Sequence, residues 1–405
     1  MECSFLVAQN LKPTANRSVW WQRAGTILGL ALVAACAAPP PHAVPDSPIA
    51  ATTESPTKLF TDSTNPVPQV AASWIPRERS RWVGAAWNDL PGWGEDQAQA
   101  LWPALLRSCE RPASAWAAAC AAAVAASPAS DEAARAWLEQ WLRPYRVESL
   151  AGSAQGLATG YFEPQLRAAR QPDQRFRWPL YGLPADLQTR SPYWTRQELE
   201  SLPSGKAAPR VPALAWLEDP LDGLIVQVQG SGRVDLTEPN GDTRSLRLAF
   251  AGHNNQPYRS VGRWLIDQGQ LNPDQASWST IRNWLRLNPE RTNELLWSNP
   301  RVVFFREEPL LDPNLGPRGA QGVPLTPGRS IAVDAQSIPY GTVLWLDSTD
   351  PLSNQALRRL VVAQDTGGAI VGAVRADFFW GWGDAAQASA SAMKHPMRLW
   401  ALWPR

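Results

Sequence analysis

Histidine, net charge and long apolar runs are what this 405-residue chain has least of. Its three histidines, His42, His253 and His395, lie far apart, so no metal centre built mainly from imidazole is expected. Lys and Arg number 38 against 37 Asp and Glu, a net charge of +1. A dedicated nucleic-acid binder or a polybasic membrane sensor wants a clear cationic excess, so neither class fits. No apolar run approaches the ~18 residues of a membrane span. The length suffices for two or three domains and a sizeable core.

What is abundant is tryptophan. The 22 Trp outnumber Phe (9) and Tyr (6) together. Flat amphipathic indoles suit stacking on sugar faces, and they equally fill cores. Both readings stand on composition alone.

The amino terminus reads as an address. An apolar run at 24–35 follows Lys12, Arg17 and Arg23, the form of a signal-peptide core (leader 1–35). It ends in Val33-Ala34-Ala35-Cys36, which resembles the lipobox of bacterial lipoproteins, with Cys36 the lipidated residue. Several acyl chains, at about 0.8 kcal/mol per buried CH₂, anchor stably. Ala37 rather than Asp follows Cys36, which by resemblance to enterobacterial lipoprotein sorting implies the outer membrane and a body facing the periplasm. Residues 36–73, rich in Pro, Ala, Ser and Thr, read as a tether with a reach of roughly 30–35 Å. Cys3 leaves with the leader. Cys109 and Cys120 remain in an oxidising compartment, with Pro112 between two helical stretches, and are candidates for a structural disulfide.

The folded body is expected from Trp74. Helical periodicity runs through 96–108, 113–126 and 131–142. Beyond Gly152 the pattern changes to short strands at 156–162, 224–228, 302–305, 330–333, 343–346 and 360–364, with a helix near 195–201. The fold class is α+β, β-rich.

Three aspartates are expected at strand-to-turn junctions: Asp334, Asp365 before Thr366-Gly367-Gly368, and Asp377 before Phe378-Phe379-Trp380-Gly381-Trp382. A carboxyl among apolar groups has a raised pKa and can serve as a general acid. An aspartate before glycine also simply caps a turn, and composition alone does not rank the three. The aromatic run after Asp377 reads either as groove lining or as core. Gly230-Ser231-Gly232 lacks the lysine of a phosphate loop, so it either brings backbone close to a ligand or turns the chain.

These stretches, with 89–93, Gly160-Tyr161-Phe162-Glu163-Pro164, Gln227-Val228-Gln229-Gly230-Ser231-Gly232, 258–263, 299–305 and 319–325, stand in the order found in the membrane-bound lytic murein transglycosylase A family. The resemblance covers about residues 82–402. It implies a double-psi β-barrel domain built from 74–162, with N-terminal helices, and from 301–405. A smaller β-domain, 163–300, is inserted between them, with a glycan groove between the two. It implies cleavage of the MurNAc-β-1,4-GlcNAc bond of peptidoglycan with formation of 1,6-anhydromuramyl ends. By the match, Asp377 is expected as the single acid/base and Asp365 as its supporting carboxylate. The resemblance places Tyr161, Gln229, Gly230, Ser231 and Gly232 at the groove, with Asp334 structural or supporting. No metal or other cofactor is implied. Partners are peptidoglycan strands and, through the anchor, outer-membrane lipid; proteins of cell-wall synthesis or division are compatible with this. Val371 and Ala376 depart from the family's Lys and Gly, which touches local substrate contacts. His253 and Arg259 are left between glycan contact and a structural role. A hydrolytic muramidase on the same fold, with Asp365 activating water, and a non-catalytic glycan-binding lipoprotein are the alternatives.

Overall fold

The computed structural model of the protein describes residues 74–201 and 211–405. The expected leader and tether, with Cys3, Cys36 and His42, lie outside them. The chain opens with β1 (Trp74–Pro76) and β2 (Ser80–Gly84), then α1 (Trp102–Cys109), α2 (Ala117–Ala125) and α3 (Asp131–Trp141). There follow β3 (Leu142–Ser149), β4 (Gly156–Glu163), β5 (Gln165–Ala169), β6 (Trp178–Tyr181), α4 (Arg196–Ser201) and β7 (Ala213–Leu217). Next come α5 (Pro220–Gln229), β8 (Ser231–Thr237), β9 (Thr243–His253), α6 (Val261–Asp267), α7 (Trp278–Leu287) and α8 (Thr292–Trp297). The last part holds β10 (Val303–Pro309), β11 (Ser330–Val333), β12 (Val343–Thr349), β13 (Ala356–Asp365), β14 (Arg375–Trp382), α9 (Gly383–Ala392) and β15 (Lys394–Pro404).

The strands form two sheets. Nine strands, in the order β1-β2-β3-β15-β12-β13-β11-β14-β4, come from the two ends of the described chain, and β4 also pairs with β15. That second pairing closes β15, β12, β13, β11, β14 and β4 into a ring. The other sheet, β10-β9-β8-β5-β7-β6, comes from the middle of the chain. The fold is therefore mixed α+β and β-rich.

Strand alternation sorts side chains between two cores. In β12, Val343 and Trp345 face helices α1 to α3, while Leu344 and Leu346 fill the ring with Ile331, Val361 and Phe378. Most of the tryptophans explain themselves here. Trp82, Trp116 and Trp345 are fully buried, and Trp102–Trp137 and Trp93–Trp345 meet edge to face at 5.1 and 5.3 Å. Trp74 is the tryptophan among the large exposed apolar side chains. A disulfide joins Cys109, which ends α1, to Cys120 in α2.

Three expectations need correction. Residues 224–228 are helix, not strand. Asp219 caps α5 by accepting from the Leu221 N–H, Pro220 opens its first turn, and Gly230 closes it in the left-handed region at φ 83°. Leu221, Leu224 and Ile225 fall on one buried face of it, the spacing of a helix. Strands β1 and β2 also precede the helices; they, and β3 directly after α3, were not foreseen. Asp377 lies within β14 rather than at a turn.

Where β4 leaves the first sheet, Glu163 is fully buried. Its carboxylate accepts from Arg233 Nε of β8 at 2.8 Å and Arg247 Nε of β9 at 2.5 Å. The same two guanidiniums donate to the carbonyls of Pro313 and Leu315, and Arg233 stacks 3.6 Å over Trp382 at the end of β14. One ion cluster thus ties strands of both sheets. Removing the single anion leaves two buried cations facing each other, which costs about 3–5 kcal/mol. Glu163→Gln is expected to lower stability by that order in urea denaturation of the purified chain. A loss below about 1 kcal/mol would mean that the cluster does not hold the sheets.

Candidate active site

The site is one row of residues across four strands. Ala332 of β11 pairs with Asp365 of β13 on one side and with Asp377 of β14 on the other, and Asp377 pairs in turn with Thr159 of β4. Residues opposite one another on neighbouring strands share a face. Asp365, Ala332, Asp377 and Thr159 therefore line up on the outer face of the ring, two strand spacings (about 10 Å) separating the backbones of the two aspartates. Small Ala332 leaves the space between the carboxyls open. Tyr161 and Phe379, paired one step along, join Ala332, Leu325 and Ile370 in a small apolar cluster beneath the row.

The two carboxyls are held differently. Asp365 accepts on both oxygens, from the Tyr161 hydroxyl at 2.9 Å and the Ala320 N–H at 3.0 Å. Burial nevertheless pushes its pKa up to about 6 against those hydrogen bonds, and the neighbouring Asp377 charge raises it further. Asp377 accepts on Oδ1 alone, from the Thr159 hydroxyl at 2.5 Å. Its Oδ2 has no partner among the described residues and is open to solvent. Burial raises the Asp377 pKa, while Thr159 and the Arg375 charge pull it back. Arg375 also donates to the Thr159 hydroxyl at 2.8 Å, so the chain Arg375–Thr159–Asp377 sets this carboxyl's orientation and acidity.

Gly160 lets β4 lie this close. A Cβ there would stand 2.8 Å from the backbone of Ala390 in α9 and from the Trp380 indole.

The other sequence candidates find distinct places. Asp334 follows β11 and is buried, paired with Arg79 at 3.1 Å. It accepts from the N–H groups of Gln336 and Gly372, which pins the far end of the loop after Asp365. Tyr161 is buried and spends its hydroxyl on Asp365. Gln229 accepts from the Phe162 N–H at 3.0 Å, so the end of α5 is bonded to β4 beside Tyr161. Ser231 and Gly232 are buried at the start of β8, where a Cβ on Gly232 would meet Val226 at 2.7 Å. Phe378 and Phe379 are core, and one face of Trp382 is taken by Arg233. The Arg259 N–H donates to the Asn299 side chain. No cluster of three His, Cys, Asp or Glu side chains able to hold a metal occurs among the described residues. Thr159 and Arg375 were missed from sequence. Thr159 stands one residue before the quoted Gly160–Pro164 motif, in the strand expected at 156–162, and only strand pairing brings it to Asp377.

The Asp365 carboxyl gives a titration test. Its native pKa of about 6 lies above the usual ~3.9 of an unfolded aspartate. Its contribution to stability is thus full below about pH 4 and is lost as pH rises through about 6. Tyr161→Phe removes a bond that favours the ionised form. It is expected to raise the Asp365 pKa in carboxyl ¹³C NMR and to carry the loss of stability to higher pH; a fall in pKa would contradict the assignment.

Comparison with known proteins agrees with the motif order. A family profile described as the MltA specific insert domain matches residues 157–306, and one described as the 3D domain matches 329–403. The chain is 36% identical over 260 residues to a membrane-bound lytic murein transglycosylase A of Vibrio cholerae, spanning 62% of this chain and 67% of that protein. It is 34% identical over 252 residues to the Escherichia coli protein of the same name, spanning 60% and 64%. Among solved structures, MltA from Neisseria gonorrhoeae aligns with a TM-score of 0.70 at 30% identity, covering 82% of this chain and 95% of that one. Lytic transglycosylase LtgG of Burkholderia pseudomallei aligns at 0.59 and 41% identity, covering 83% and 98%. E. coli MltA with bound chitohexaose aligns at 0.64 and 26% identity, covering 82% and 94%. With both profiles in place, more than a third of the 260 aligned residues shared with the Vibrio protein, and nearly the whole Neisseria and Burkholderia structures covered, this chain belongs to the membrane-bound lytic murein transglycosylase A family.

Proposed function

We propose that the protein is a peptidoglycan lytic transglycosylase in which Asp377 acts as the single acid/base. The observation that carries this is the asymmetry of the two carboxyls: Asp365 has both oxygens engaged, whereas Asp377 keeps Oδ2 free and open. Protonated Asp377 donates to the GlcNAc O4 as the muramyl C1–O4 bond breaks. The resulting carboxylate then takes the proton of the muramyl C6 hydroxyl as O6 bonds to C1. No water is consumed, and the product carries a 1,6-anhydromuramyl end. The intramolecular nucleophile draws on high effective molarity, which offsets the lack of a second carboxylate. A hydrolase would need Asp365 to activate water. Its two engaged oxygens favour the positioning role, and the free Oδ2 likewise disfavours a binder without turnover.

The same reading assigns the closed six-strand ring to a double-psi barrel, the middle sheet to an inserted domain, and the groove to the glycan. Tyr161 and Gln229 to Gly232 support its floor, and Asp334 anchors the loop beside it. No described helix is long and apolar enough to cross a membrane. In this reading the relatives' membrane attachment is met by lipid on Cys36, with the tether holding the body in the periplasm off the outer membrane.

The test is mass spectrometry of muropeptides released from purified sacculi. Anhydro ends, one water lighter than hydrolysis products, are expected from the wild type, and release by Asp377→Asn is expected to fall by at least about a thousandfold. Reducing muramyl ends would instead mean that water attacks. A second variant checks the tuning. Thr159→Val removes a bond to the carboxylate, so the Asp377 pKa should rise and the falling limb of kcat/KM should move to higher pH. Movement to lower pH would overturn Thr159's part.

A further inference from the structure

Beside the row stands a cation that the mechanism does not use. Arg301 lies just before β10, on the chain that enters the middle sheet. Its stem is fixed: Nε donates to the Gln256 carbonyl at 2.8 Å, and its own carbonyl accepts from buried Arg196 at 2.7 Å. Nη1 stands 3.7 Å from where a Cβ on Gly368 would be, so the guanidinium rests against the Gly367-Gly368 turn, three residues beyond Asp365. Neither terminal nitrogen has a hydrogen-bond or ion-pair partner among the described residues, and both are open to solvent. The loop they face, 366–374, carries no charged side chain. Arg375 at its end is committed to Thr159 and the Ala376 carbonyl. The near titratable neighbour is His253, whose pKa is lowered by burial and by the Arg301 charge, which keeps that ring neutral. An arginine braced at Nε presents a planar pair of donors suited to a carboxylate.

We infer that Arg301 is a specificity residue that pairs with a carboxylate of the substrate, borne on the muramyl lactyl group or its peptide stem. This rests on the peptidoglycan reading above. Sugar hydroxyls and acetamido groups are neutral and do not satisfy a fixed cation as an anion does. A glycan of GlcNAc alone lacks the carboxylate, so Arg301 separates murein from neutral β-1,4 glycans.

Binding is measured by calorimetry in the Asp377→Asn protein, with and without Arg301→Gln. Three ligands are used: chitohexaose, peptide-free murein strands with free lactyl carboxylates, and peptide-bearing strands. Arg301→Gln is expected to weaken anionic strands about tenfold, the scale of one charge-assisted pair, and chitohexaose less than about twofold. Loss on peptide-free strands alone places the carboxylate on the lactyl group, loss on peptide-bearing strands alone places it on the stem, and loss on both means that the guanidinium takes either one. Equal weakening of chitohexaose, or no weakening of either murein ligand, overturns the inference. Arg301→Lys, which keeps the charge, should retain part of the discrimination and its salt sensitivity; if it binds all three ligands as Arg301→Gln does, charge is not the determinant. The wild-type sacculus digest reports separately on the reaction, so failure of that reading and failure of this one are distinguishable.

Discussion

The register of four strands is the constraint on which the site depends. Asp365 and Asp377 share one face in line only because both pair with Ala332, one through a parallel and one through an antiparallel ladder. Side chains alternate faces along a strand, so a one-residue slip of β14 would turn Asp377 into the ring, where Ala376 and Phe378 now sit. The fully buried Ile331, Val333, Ala376 and Phe378 enforce the register, because slipping would bring charge into that apolar interior. The packing that stabilises the ring thus also aims the carboxyls outward.

Burial then acts on both carboxyls in the same direction, and the local donors tell them apart. Tyr161 and the Ala320 N–H take both oxygens of Asp365. Thr159, itself held by Arg375, takes one oxygen of Asp377. Two aspartates on one face are therefore distinguished by their hydrogen bonds. The surroundings are braced from the other sheet: Glu163 draws Arg233 and Arg247 together at the crossover, and Gln229 bonds to β4 beside Tyr161.

Much of this was legible before the fold was known. The strand ending in Asp365, the strand before Asp334 and the helices α1 to α3 carry clear periodicity, and the ordered motifs pointed to the family. The helix at 220–229 was not legible, because its short apolar run from 224 satisfies a strand pattern as well as a helix pattern. Its identity lies in the flanking Asp219, Pro220 and Gly230. Strand β14 was hidden because an aspartate, two phenylalanines and two tryptophans together show no simple alternation. The tryptophans could not be divided between core and groove, since indole chemistry suits both.

The sequence by itself determined the chemical inventory: three aspartates among apolar residues, a cysteine pair spaced to close, and a surplus of indoles. Tertiary structure alone decided which aspartate keeps a free oxygen, that Thr159 and Arg375 tune it, and that Arg301 lies against the Asp365 loop. The physical reason is separation along the chain. Thr159 and Asp377 are 218 residues apart and meet only through strand pairing. Local pattern reports on neighbours within a few residues, whereas hydrogen bonds to a carboxyl, and the burial that shifts its pKa, come from whatever the fold brings alongside.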